Sequence, residues 1–211
     1  EGVTTNVSKI IPSLKEINKV LHLFIGQIDQ VPPKFSAKKI NGKRCYDLAR
    51  NNEEFELKPQ KVTIFNLRVV SHHENKTSFL VSCGSGTYVR SLARDLAYAL
   101  NTFGYASKIL RSRYSHFTKK NTLTMDFLVK NVEKEDFYKY LLDIRKVLIH
   151  IPSIKLEDER IKLIKNGMKV SMLEEFGEVN IKSLIAQNQS QVLAFGELKS
   201  GFFYPKRILN I

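Results

Sequence analysis

Gly84-Ser85-Gly86-Thr87-Tyr88-Val89-Arg90 marks the point where the chain changes its hydrophobic period, and that change decides the fold class. Ahead of it, Thr77 to Cys83 alternates Phe79, Val81 and Cys83 with Ser78, Leu80 and Ser82, the period of a strand with two unlike faces. Behind it, Val89, Leu92, Ala93, Leu96 and Leu100 recur at helical spacing. Strand, glycine turn and helix therefore follow one another. Working backward, Lys61 to Val70 is β-branched and alternates at Val62 and Ile64, then resumes out of phase at Leu67 and Val69. The slip predicts a bulge, and a hairpin turning at His72 to Lys76 joins this strand to the next. Further back, Ser13 and Glu16 in Pro12-Ser13-Leu14-Lys15-Glu16 form a capping-box pattern. It opens a helix whose Leu14, Ile17, Val20, Leu21 and Phe24 share a face and which Gly26 stops. Helices and antiparallel strands occur in separate runs, so the fold class is α+β.

Forward of the turn, Phe137, Leu141, Ile144 and Leu148 predict a further amphipathic helix ending before Pro152. A domain boundary is placed there, giving 1–148 and 149–211. The tail reads as a helix over Glu157 to Asn166 closed by Gly167, then two apolar runs, Val192 to Phe195 and Phe202 to Tyr204. Lys199-Ser200-Gly201 separates those runs, so a small β-rich module is expected.

Lys and Arg outnumber Asp and Glu by 34 to 21, giving a formal charge of +13 in 211 residues. A balance that basic favours a polyanionic partner, most simply nucleic acid. Its distribution is informative: Val31 to Arg50 holds Lys34, Lys38, Lys39, Lys43, Arg44 and Arg50 against the single acid Asp47. Ser107 to Lys120 holds five basic residues and no acid, whereas Ile151 to Ser190 balances six against six. Val31 to Lys43, rich in Pro, Lys, Ser, Asn and Gly, reads as an extended basic loop, with a short helix resuming over Tyr46 to Arg50. A solvated lysine-rich surface is the plainer alternative for the same residues.

No apolar run approaches a membrane span, and Glu1-Gly2-Val3-Thr4-Thr5 offers neither a basic n-region nor an apolar h-region. Cys45 and Cys83 lack zinc-ligand spacing and read as reduced thiols of a cytosolic protein. Adjacent His72 and His73 suit an exposed polar turn better than a metal site.

Gly84 to Arg90 invites comparison with nucleotide-binding loops and fails it. Val89 stands where a dinucleotide fingerprint needs its third glycine, and no Gly-Lys-Ser/Thr phosphate loop occurs. What the turn offers is a ring and a guanidinium two residues apart at a strand end. Tyr88 can stack on a base, and Arg90 can form a bidentate pair with a carboxylate or phosphate. Taken singly, such a tyrosine is more often half-buried core and such an arginine a surface residue.

Gly86-Thr87-Tyr88-Val89-Arg90 acts in company with Pro32-Pro33-Lys34-Phe35-Ser36-Ala37-Lys38-Lys39-Ile40-Asn41-Gly42 and Tyr46-Asp47-Leu48-Ala49-Arg50. In the same order, these resemble the GTYIR, PPxxSAxKxxG and YxLAR blocks of the TruB family of pseudouridine synthases. Leu110-Arg111 is similar to the Leu-Arg pair after the family's GTYIR helix. Gly196-Glu197 and Tyr204-Pro205-Lys206-Arg207 are similar to the end of its C-terminal PUA-like domain. The chain departs from the family in lacking a GTLDPxAxG-like segment, which carries the catalytic aspartate, and the KxY-like segment after it. Glu1-Gly2 resembles the point just beyond those segments, and the absence of an initiator Met accords with a truncated start. Asp29, Asp47 and Asp95 lack the context of a nucleophile.

The resemblance implies a partial pseudouridine-synthase sheet with flanking helices over 1–148 and a PUA-like domain over 149–211. It implies an isomerase that converts uridine 55 of the tRNA T-loop to pseudouridine, inactive as this chain alone because the nucleophilic Asp is absent. Tyr88 and Arg90 are the implied catalytic residues, Tyr88 and Leu110 the substrate-binding ones, although Leu110 would ordinarily be plain core. A thumb-like loop at 31–50 is implied to clamp the T-arm through Lys38, Lys39, Lys43, Arg44 and Arg50. No metal or organic cofactor is implied, and the protein is expected to be a cytoplasmic monomer. A non-catalytic module that binds or refolds tRNA is the alternative function. The guide-RNA-dependent branch is a further one, which the small tail and short basic extensions disfavour.

Overall fold

The computed structural model describes residues 3–189 and 191–209, so Glu1 and Gly2, where the expected truncation point lies, fall outside it. Two compact units divide at Lys119/Lys120, ahead of the boundary expected at 148.

In the first unit, α1 (Leu14–Val20) opens as its sequence dictates. The Ser13 hydroxyl accepts from the Glu16 amide, and the Glu16 carboxylate takes the Ser13 amide at 2.8 Å, a complete capping box. The Ser13 hydroxyl also donates to the Glu16 carboxylate at 2.6 Å, and this bond, followed by the one from the Ser13 amide, holds the Glu16 carboxyl below its ordinary pKa. The helix tightens to a 3-10 turn over Leu21–Phe24 before β1 (Gly26–Gln30). β2 (Lys39–Ile40) and β3 (Lys43–Arg44) form a miniature hairpin, α2 (Cys45–Arg50) follows, and β4 (Gln60–His73) and β5 (Lys76–Cys83) form the long one. Then come α3 (Val89–Ala99), β6 (Arg113–Tyr114) and β7 (Phe117–Thr118).

The main sheet runs β1-β4-β5, antiparallel throughout. Val62, Ile64 and Leu67 of β4 are all buried, although one odd step separates the last two. The register shift between Ile64 and Asn66 absorbs that step, so the expected bulge is present. Ile17 and Leu21 from the first helical segment and Leu92 and Leu96 from α3 pack on Ile64 and Leu67. His72 and His73 are not in the turn: both lie in β4, opposite Thr77 and Lys76, and only Glu74 and Asn75 intervene. The ladder simply runs further than apolar alternation shows, with His72 Nδ1 2.9 Å from the Thr77 hydroxyl.

The second unit contains α4 (Met125–Asn131), α5 (Ile144–Val147), β8 (Ser153–Lys155), α6 (Asp158–Lys165), β9 (Val170–Ser171), α7 (Leu173–Phe176), β10 (Ile181–Gln187), β11 (Val192–Lys199) and β12 (Phe202–Ile208). Its sheet has the order β8-β10-β11-β12-β9, with β8 and β10 parallel and the other pairs antiparallel. The expected tail helix and hairpin are α6 and β11–β12. The helix expected through Phe137 to Leu148 does not form as one piece. A 3-10 segment, Glu135–Tyr140, ends in extended backbone at Leu141, and Asp143 starts α5 by accepting the Arg145 amide at 2.8 Å. The Arg145 side chain beside it holds the Asp143 carboxyl down to about 2.

Phe203, fully buried, centres the second core with Ile164, Val170, Met172 and Leu198. Gly196 in β11 lies directly against it. A Cβ there would come within 2.2 Å of the Tyr204 carbonyl oxygen and 2.6 Å of Phe203 Cζ. Gly196→Ala is therefore expected to destabilise this unit by about 1–3 kcal/mol through overpacking. An unchanged urea midpoint would show that the strand yields without cost.

Candidate active site

Four hydrogen bonds join Gln30 and the root of the basic loop to the Gly84–Arg90 turn and the start of α3, and two more run from Lys38 through Gln60 of β4 to Gly86. Gly86 has φ +83°, a conformation open to glycine at little cost, and lets the chain reverse between β5 and α3. Its carbonyl accepts from Gln60 Nε2 at 3.1 Å, and Gln60 Oε1 accepts from Lys38 Nζ at 3.3 Å. Tyr88 is the residue before α3, and its backbone N–H donates to Gln30 Oε1 at 2.8 Å. The Val31 carbonyl takes two donors, the Ser91 hydroxyl at 2.7 Å and Arg94 Nη2 at 3.0 Å. Arg90 Nη2 reaches the Phe35 carbonyl at 2.8 Å.

The sequence motifs are thus brought together in space. Pro32 is fully buried and Ser36 nearly so, which fixes the loop root, while Lys39, Lys43, Arg44 and Arg50 are exposed and Lys38 is half-buried. The loop contains more order than its composition suggests. Asn41 and Gly42, both at positive φ, turn β2 into β3, and an Asn-Gly pair is the available signal for such a hairpin. Arg44 and Arg50 each lie 5.7 Å from the Tyr46 ring centre, so cation–π contact holds two guanidinium groups at one exposed face. Lys43 stands 3.6 Å from Glu53 with both side chains exposed, a pair worth about 0–1 kcal/mol and readily exchanged for another anion.

Tyr88 is half-buried and Arg90 exposed. Among the described residues no carboxylate pairs with Arg90, and a guanidinium holding one carbonyl keeps further donors free. Asp29 and Asp95 have cations beside them, Lys61 at 4.0 Å and Arg94 at 2.7 Å. Leu110 is 73% exposed, in a stretch without helix or strand, and belongs to neither buried cluster. Gln30, Gln60, Ser91 and Arg94 were not evident from the sequence. A Gln immediately before Val31-Pro32-Pro33 is the faint mark that Gln30 leaves.

In the second unit, Gly196 pairs with Pro205 and Glu197 with Tyr204, and Glu197 also accepts from Lys206 Nζ at 2.6 Å. The two tail motifs are therefore neighbouring strands of one hairpin.

Over 215 residues the chain is 37% identical to tRNA pseudouridine synthase B of Ehrlichia ruminantium, a match spanning 100% of this chain and 72% of that protein. The chain belongs to the TruB family of pseudouridine synthases. A second TruB relative, tRNA pseudouridine synthase B of Caulobacter vibrioides, is 32% identical over 219 residues, covering 100% of this chain and 71% of the relative. Residues 1–89 match the family described as TruB family pseudouridylate synthase (N terminal domain).

Solved structures agree on the fold. A chain of a Cbf5-Nop10-Gar1 complex superposes with TM-score 0.66 at 18% identity, over 97% of this chain and 63% of that one. A chain of an H/ACA RNP bound to a substrate RNA containing 2'-deoxyuridine gives 0.69 at 16% identity, over 97% and 64%. This chain thus spans somewhat less than two thirds of those solved chains. The α+β class read from the sequence is the one the TruB chain adopts.

Proposed function

We propose that the chain is the RNA-clamping and base-holding part of a tRNA pseudouridine synthase acting on uridine 55 of the T-loop. The observation that supports this most is the network of hydrogen bonds that links the basic loop, directly and through Gln30 and Gln60, to the Tyr88 turn and α3, because it couples a backbone-gripping surface to a stacking residue. Pseudouridine formation breaks the N1 glycosidic bond of uridine, turns the base and rejoins it through C5. The base must first leave its stack, at a cost of a few kcal/mol. Tyr88 returns part of that by stacking, Leu110 supplies an apolar wall, and Arg90 holds an attacking carboxylate ionised and aimed. The nucleophile itself is the aspartate of the family's GTLDPxAxG-like segment, which these 211 residues do not contain. This chain alone therefore binds tRNA without turning it over.

Lys38, Lys39, Lys43, Arg44 and Arg50 contact phosphates of the T-arm, which positions the RNA without reading its sequence. Residues 149–211 serve as the PUA-like domain, and the protein works as a cytoplasmic monomer. The deciding experiment incubates full-length protein with a tRNA transcript and assays the T-loop; a uridine left unmodified there overturns the reading.

Lys43→Ala is expected to weaken tRNA binding severalfold and to flatten the salt dependence by about one phosphate contact, with the rate at saturating tRNA unchanged. Affinity that ignores salt in both proteins would remove the phosphate contacts from the account. The alternative, a module that clamps or refolds tRNA, predicts salt-sensitive binding by full-length protein with no pseudouridine formed.

A further inference from the structure

We propose that Gln30 and Gln60 are positioning residues that together grip the turn from Gly86 to Tyr88 and so aim the Tyr88 ring; this rests on the function proposed above. The two glutamines face each other across the β1–β4 ladder. Their amides reach the turn on either side of Thr87: Gln60 Nε2 donates to the Gly86 carbonyl, and Gln30 Oε1 accepts from the Tyr88 N–H. Tyr88 precedes the first residue of α3, and Gln30, 58 residues away in sequence, supplies its amide with a partner.

The burial of Gln30 makes a purely packing role a poor explanation. Gln30 is 0% exposed, yet only one end of its amide is satisfied: Nε2 is buried with no hydrogen-bond partner, as is the Thr87 hydroxyl oxygen. The amide cannot be flipped to relieve this, because the Tyr88 N–H needs an acceptor where Oε1 stands. A methionine of similar size would fill the site and remove the unpaired Nε2, but it would leave the Tyr88 N–H without its acceptor. What only a carbonyl-bearing side chain provides there is the hold on Tyr88. A small rotation at the Tyr88 Cα is magnified at the far edge of its ring, and a displacement of about 1 Å can slow a reaction about a hundredfold. Gln60 adds a link to RNA binding, since its other end receives Lys38 of the basic loop.

The test is steady-state kinetics of full-length wild type, Gln30→Met, Gln60→Met and Gln30→Glu on tRNA transcript, with thermal melts. Gln30→Met is expected to lower kcat about tenfold or more, with KM for tRNA within about threefold of wild type, because the clamp acts on aim and not on affinity. Gln30→Glu, which keeps an acceptor, recovers most of that loss. A rise in KM with kcat intact, or no recovery in the Glu variant, overturns the proposal. Should Gln30→Met lose its cooperative melt, Gln60→Met decides: a lower kcat at wild-type stability supports the clamp, and an unchanged kcat refutes it. Wild-type protein that forms no pseudouridine sinks the functional reading instead. Amide exchange then decides the clamp, faster exchange at Tyr88 in Gln60→Met supporting it and unchanged protection refuting it.

Discussion

Tyr88→Ala in the full-length protein is expected to lower pseudouridine formation by about ten- to a hundredfold while tRNA affinity changes little. The magnitude follows from base–aromatic stacking at roughly 1–3 kcal/mol, since about 1.4 kcal/mol corresponds to a factor of ten in rate. The split between rate and affinity follows from the structure. Lys39, Lys43, Arg44 and Arg50 are exposed along the loop, and the bonds that anchor its root come from the backbone of Tyr88 and the side chains of Ser91, Arg90, Arg94 and Gln60, not from the Tyr88 ring. Removing the ring leaves that anchorage in place. Single-turnover rates and filter binding on one transcript measure both quantities. Equal, small effects from Tyr88→Ala and Lys43→Ala would contradict the division of labour between turn and loop.

The second large effect is on stability. Phe203→Ala is expected to cost about 3–5 kcal/mol, because the ring is fully buried and its neighbours cannot collapse onto the space it leaves. Phe203 pairs with Leu198 on one side and Val170 on the other, so β12 is held between partners, and the ring lies against Gly196, which has no side chain to move inward. Urea melts of wild type and variant give the difference directly. A loss below about 1 kcal/mol would show that this core repacks, contrary to the usual behaviour of a closely packed interior.

Elements with a local cause were legible in the sequence. The Ser13–Glu16 capping box, the bulge between Ile64 and Leu67 and the strand-turn-helix around Tyr88 each depend on residues adjacent in the chain, and each is present. The segment from Phe137 to Leu148 misled because its spacing is helical but its surroundings are not. Leu141 is 63% exposed and Leu142 51%, so a helix there has no core to bury its face against. Asp143 then competes for the backbone with its own side chain. β10 escaped notice for the opposite reason: Leu184, Ile185 and Ala186 are buried in succession, so no alternation marks the strand, and β8, its parallel partner, has only three residues.

For the site, the motif residues Tyr88, Arg90 and the loop cations could be named from sequence, since three blocks in one order single them out. The groups that hold them could not. Gln30 and Gln60 lie far from the turn in sequence and carry no pattern, and only the antiparallel register of β1 and β4 sets them side by side.

The parallel pairing of Ser153 with Ile185 also governs the order in which the second sheet is assembled. β11 and β12 are joined by Ser200 and Gly201 alone and can zip together as soon as both exist, whereas β8 must await a strand synthesised after α6, β9 and α7. On the ribosome, the short segment Ser153–Lys155 emerges with its backbone donors and acceptors satisfied by water alone, and it cannot pair until translation has passed β10.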